Sequence, residues 1–134
     1  MYRTKSNQSG DISQLAVQLD LAKRGWITNI PQSRDSVYDL WVDLGGPTPA
    51  RVQVKTMSGN SISRIIDRSG EVVSKNGKTR NSLDYAKEGI EWLAGYDSKT
   101  GEIHYYHIDN YSKIGPKSFS VKKWPSDDFP TNPF

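Results

Sequence analysis

The 134-residue chain contains no cysteine and only two histidines. The first absence excludes disulfides, zinc–thiolate centres and cysteine nucleophiles. The histidines, His104 and His107, lie in the strand-like stretch Ile103-His104-Tyr105-Tyr106-His107-Ile108. Three residues apart on a strand they point to opposite faces, a poor joint metal site, so structural or surface roles are expected. No apolar run approaches the length of a membrane span, and Met1-Tyr2-Arg3-Thr4-Lys5-Ser6 has no signal-peptide core. The expectation is an intracellular, cytoplasmic protein with no membrane partner. There is no internal repeat, phosphate-binding P-loop, dinucleotide fingerprint or serine-nucleophile elbow, so the corresponding chemistries have no support.

What is present fits one polar-surfaced domain. Charged residues make up 25% of the chain and hydrophobic ones 34%, and the length suits a single core. The net charge is only +3, but the cations are unevenly spread. Arg51, Lys55, Arg64, Arg68, Lys75, Lys78, Arg80 and Lys87 face only Asp67, Glu71 and Asp84 between residues 51 and 87, whereas residues 88 to 134 are acidic overall. Such a patch either neutralises nucleic-acid phosphates or is the solvated face of exposed hairpins.

Residues Gly10 to Gly25 read as a helix. Ile12, Leu15, Ala16, Leu19 and Ala22 fall at helical spacing as its core face, Lys23-Arg24 suits the C-terminal dipole, and Gly25 can end it. Asp11 with Gln14 three residues later would make a capping box, and Ser13 falls on the helix surface. Trp26 to Pro31 reads as a short strand. Ile62 to Ile66, the Ser69-Gly70 turn, Glu71-Val72-Val73 and the Asn76-Gly77 turn read as protruding hairpins. Ile90 to Tyr96 and Ile103 to Ile108 make a strand pair around Asp97 to Gly101, and Ser118 to Lys122 a last edge strand. The tail from Trp124 to Phe134 is too proline-rich for a regular element. It is either loose or docked through Trp124, Phe129 and Phe134.

The most chemically suggestive region is a hairpin. Tyr38 to Leu44 and Ala50 to Thr56 both alternate with period two around Gly45-Gly46-Pro47-Thr48-Pro49. Leu40, Val42, Val52 and Val54 therefore share a buried face, while Asp39, Trp41, Asp43, Arg51, Gln53 and Lys55 share the other. Pairing Leu44 with Ala50 sets Trp41 opposite Gln53, Asp43 opposite Arg51 as an ion pair, and Asp39 opposite Lys55. Asp39 and Asp43 stand roughly 13 Å apart on a strand, too far to share one ion. Asp39 is the better functional candidate, and Trp41 reads as a packing or DNA-facing aromatic.

A helix opening on Gly-Asp-Ile-Ser, the Gly25-Trp26 entry to a strand, Tyr38-Asp39-Leu40 and Val52-Gln53-Val54-Lys55-Thr56 occur in an order that resembles PD-(D/E)XK nucleases. The likeness is closest to the small Gln-x-Lys branch, which includes a cyanobacterial group I intron homing endonuclease, with archaeal Holliday junction resolvases as more distant relatives. It extends over about residues 8 to 123. The resemblance implies an α/β, restriction-endonuclease-like core, a mixed central sheet flanked by helices with protruding β-hairpins, as a single domain over 1-123 followed by the tail 124-134. It further implies a metal-dependent endonuclease acting on double-stranded DNA as a homodimer or homotetramer. Asp39, Gln53, Lys55 and Gln14 match the catalytic positions. Asp39, Gln53 and the Val54 carbonyl match the ligands of Mg²⁺ or Mn²⁺, hard cations that take oxygen donors. Lys55 would orient the attacking water or stabilise the phosphorane-like transition state. Arg64, Arg68, Lys75, Lys78 and Arg80 are the expected DNA contacts. Gln53 and Gln14 stand where most relatives carry acids, so the alternatives are a junction resolvase or a DNA-binding protein with weakened or lost catalysis.

Overall fold

The computed structural model describes residues 4–32, 38–67, 82–114 and 117–134. In chain order the elements are α1 (Lys5–Lys23), β1 (Thr28–Asn29), β2 (Leu40–Val42), β3 (Ala50–Thr56), β4 (Ser61–Ser63), β5 (Ile65–Asp67), β6 (Ser82–Asp84), β7 (Trp92–Tyr96), β8 (Ile103–His107), α2 (Ile108–Tyr111) and β9 (Ser118–Ser120). The central sheet has the order β1-β2-β3-β7-β8. β3 and β7 run parallel and the other neighbours antiparallel, so the sheet is mixed, as expected for the α/β architecture.

Alternation along the strands divides the interior into two layers. Leu40, Val42, Val52, Val54, Trp92, Ala94 and Tyr105 pack on Val17 and Leu21 of α1. On the other face, Leu93 and Tyr106 meet Met57, Ile62, Tyr85, Ile90, Tyr111, Ile114 and Phe119. β3 lies between the two layers, which is why even its polar Gln53 is buried.

The α1 helix departs from its reading at both its start and its face. Thr4 is the N-cap, its hydroxyl accepting from the Asn7 N–H at 3.1 Å. Asp11 is therefore mid-helix and the Asp11–Gln14 capping box is not formed. Apolar residues lie on two sides of this helix, and the buried side is Ser13, Val17 and Leu21. Ile12, Leu15 and Leu19 are instead 48%, 65% and 57% exposed. The inward choice also satisfies polar groups: Ser13 Oγ lies 2.6 Å from Thr56 Oγ1, and Asp20 accepts from the Tyr105 hydroxyl at 2.6 Å. Gly25, at φ +89°, ends the helix as expected.

The segments after β3 also pair differently from the simple hairpins expected. β4 pairs with β9, making a separate two-stranded sheet rather than an edge of the central one, and β5 pairs with β6. The Ser69-Gly70 and Asn76-Gly77 turns lie outside the described residues. The tail is docked. Phe129 is buried against Trp92 and Tyr105 at centroid distances of 4.6 and 4.8 Å. Its carbonyl accepts from Arg24 Nη1 at 2.7 Å, and the Pro130 carbonyl from Trp26 Nε1 at 2.6 Å.

Candidate functional site

β2 and β3 are antiparallel with Leu40 opposite Val52, Trp41 opposite Arg51 and Val42 opposite Ala50. This register differs by two residues from the Leu44–Ala50 pairing expected. A two-residue slip leaves every side chain on its own face, so hydrophobic alternation does not detect it. The connection is lengthened by the Asp43 side chain, whose Oδ1 accepts from the Gly45 N–H at 2.9 Å, with Gly45 at φ +86°. The expected Asp43–Arg51 pair is therefore absent. Arg51 instead reaches Glu91 at 3.5 Å and donates to the Gly89 carbonyl at 2.6 Å.

The slip draws Asp39 onto Gln53. Gln53 Nε2 donates to Asp39 Oδ2 at 2.8 Å and makes a longer contact of 3.3 Å with the Val54 carbonyl. The Val54 N–H also donates to Asp39 Oδ2, at 2.9 Å. Two oxygens that could ligate a cation, Asp39 Oδ2 and Val54 O, thus converge on one amide nitrogen. A half-turn of that amide about Cγ–Cδ would exchange its NH₂ for Oε1 and assemble three oxygens. The donor set therefore fits one hard divalent ion, with a single carboxylate. Among the described residues no group of three acidic, histidine or cysteine side chains is placed to hold a metal.

Lys55 stands next on the same face as Gln53, its Nζ 5.3 Å from the ring centroid of the fully buried Tyr85. Burial lowers the Lys55 pKa below the usual lysine value, with the Asp39 charge pulling the other way. Burial likewise raises the Asp39 pKa, opposed by the Val54 N–H and then by Lys55. The carboxylate and the amine are thus two partly desolvated groups, coupled through their charges. Tyr85 was not legible as a site residue, because only the return of the chain from β6 brings it under Lys55.

The other expected residues are placed differently. Gln14 is half-buried on α1, and no hydrogen bond among the described residues joins it to Asp39, Gln53 or Lys55. Its neighbour Ser13, expected on the surface, is buried and bonded to Thr56, the residue after Lys55. Arg64, expected on a DNA-facing hairpin, is buried too. Its guanidinium binds Asp84 at 2.9 Å and the Ser112 carbonyl at 2.9 Å, which makes it a clamp between chain segments rather than an outward cation. Arg68, Lys75, Lys78 and Arg80 lie outside the described residues.

A model of the PD-(D/E)XK endonuclease family matches residues 4–120. No curated protein matches the chain. Among solved structures, that of a bacterial homing endonuclease, I-Ssp6803I, matches with a TM-score of 0.69 at 19% identity, covering 87% of this chain and 78% of that one. At this identity the likeness is one of fold.

Proposed function

The chain belongs to the PD-(D/E)XK endonuclease family, and we propose that it is a divalent-metal-dependent, site-specific endonuclease of the homing type that hydrolyses phosphodiester bonds in double-stranded DNA. The observation carrying this reading is the convergence of Asp39 Oδ2 and the Val54 carbonyl on the Gln53 amide, one residue before Lys55. Asp39, the rotated Gln53 amide and Val54 would hold Mg²⁺ or Mn²⁺, which when bound polarises a phosphoryl oxygen and acidifies a coordinated water. Lys55 faces the same space. As an ammonium it steadies charge building on the phosphoryl oxygens, and its lowered pKa eases loss of a proton to act on the attacking water.

In this reading residues 1-123 form the nuclease domain and the tail 124-134 straps it. Arg68, Lys75, Lys78 and Arg80 supply phosphate and base contacts, and the protein works where cytoplasmic DNA is accessible. Cutting both strands takes two sites, hence a homodimer or homotetramer. Incubation with linear duplex and with a four-way junction, each with Mg²⁺ and with EDTA, tests the proposal. Metal-dependent scission of the linear duplex is expected. Preference for the junction would assign a resolvase instead, and neither cleavage nor binding of either DNA would defeat both.

The amides at Gln14 and Gln53 favour one second reading, a DNA-binding protein with weakened catalysis. Gln14→Glu discriminates. A gain in cleavage would mark a nuclease held back by that amide, whereas binding without cleavage in both forms would support the binding protein.

A further inference from the structure

Beside the Asp39 cluster is an aromatic surface that the hydrolytic chemistry does not use. Trp41 is 41% exposed although it lies in a central-sheet strand. Its indole stacks on Tyr38 at 5.9 Å between centroids and 24° between planes. The Arg51 guanidinium carbon lies 5.8 Å from the Tyr38 ring centroid. A hollow of about 250 Å³ opens here, lined by Tyr38, Trp41, Thr48, Pro49, Arg51 and Glu91.

The chemistry of this hollow suits a nucleobase better than a phosphate. Among the described residues that line it the one cation, Arg51, is paired with Glu91 and bonded to the Gly89 carbonyl, so an anion there meets no surplus positive charge from them. A flat ring instead finds an indole face on which to stack. At its edge, Glu91 can accept from an exocyclic amine and Arg51 can donate to a ring nitrogen or carbonyl. Asp39 and Trp41 are two residues apart on one face, roughly 7 Å along a strand. That is about two steps along a stacked DNA strand. A phosphate at Asp39 and a base on Trp41 would therefore lie within about two nucleotides of one another on the same strand.

Resting on the DNA-cleavage reading above, we propose that Tyr38 and Trp41 form a stacking shelf for one unstacked base of the DNA strand held at Asp39, with Arg51 and Glu91 at its edge. A paired base within a duplex has both faces covered by its neighbours. The occupant is thus a base that is unpaired or turned out of the helix, at lowest cost where pairing is already broken.

The test uses the full-length chain with Ca²⁺ in place of Mg²⁺, an oxygen-ligated divalent ion that fills the Asp39 site without supporting scission, with a blunt duplex and the same duplex carrying one bulged 2-aminopurine. The wild type is expected to bind the bulged duplex more tightly and to quench its emission by stacking. Trp41→Ala should lose the quenching and about tenfold of the affinity for the bulged duplex, while Trp41→Phe keeps most of both. Circular dichroism checks that each variant is folded. Equal binding of the two duplexes with unaltered emission, or a Trp41→Ala protein that quenches as well as the wild type, overturns the shelf and leaves DNA binding standing. Binding of neither duplex by the wild type defeats the DNA reading and the shelf with it.

Discussion

At the scale of single residues, Asp39, Gln53 and Lys55 were legible because alternation alone assigns them to one strand face. Their hydrogen bonding was not, since it depends on a register that alternation leaves free by two residues. The resulting contacts lead to two predictions. Lys55→Ala removes the cation that acts on Asp39, and cleavage should fall by about 10²- to 10³-fold, the usual cost of deleting a transition-state donor. Because Lys55 is only half-buried, its thermal midpoint should stay near that of the wild type, and an unfolded variant would make Lys55 a structural residue. Gln53→Glu replaces the amide that bridges Asp39 and Val54 with a second carboxylate. Two neighbouring carboxylates repel without a cation and bind one together. The metal-free protein should therefore melt earlier than the wild type, and adding Mg²⁺ should raise its midpoint by more than it raises the wild type's. Equal metal-induced shifts would remove Gln53 from the ligand set.

At the scale of elements, the strands of the central sheet followed from their alternation, and the helix was evident from its periodicity. Its inward face was not. Ile12, Leu15 and Leu19 make the more apolar stripe, yet Val17 and Leu21 are the residues buried. The docking is fixed by partners far away in the chain: Thr56 for Ser13 and Tyr105 for Asp20. The tail was illegible for a related reason, since proline excludes regular structure but says nothing of where one aromatic side chain lands. Phe129 fills the layer between Trp92 and Tyr105, and its carbonyl takes the Arg24 guanidinium. Asn132 continues the strap, its N–H donating to the Arg24 carbonyl and its amide to the Gly25 carbonyl. Phe129→Ala should therefore cost about 3–5 kcal/mol, the range for a buried aromatic. Denaturant unfolding would measure it, and a change below about 1 kcal/mol would show that the strap only rests on the body.

At the scale of the whole molecule, buried tyrosines tie stability to high pH. Burial, with help from the Asp127 charge, pushes the Tyr106 hydroxyl up to about 12. Tyr105 is also raised, by burial and then by its bond to Asp20, and Tyr111 by burial and then by the Asp84 charge. In the unfolded chain these groups ionise near pH 10. The folded form thus holds more protons above that pH, and its stability, fully present below about pH 10, should fall as pH rises toward 12. Denaturant midpoints measured across this range should drop, and less steeply for Tyr106→Phe.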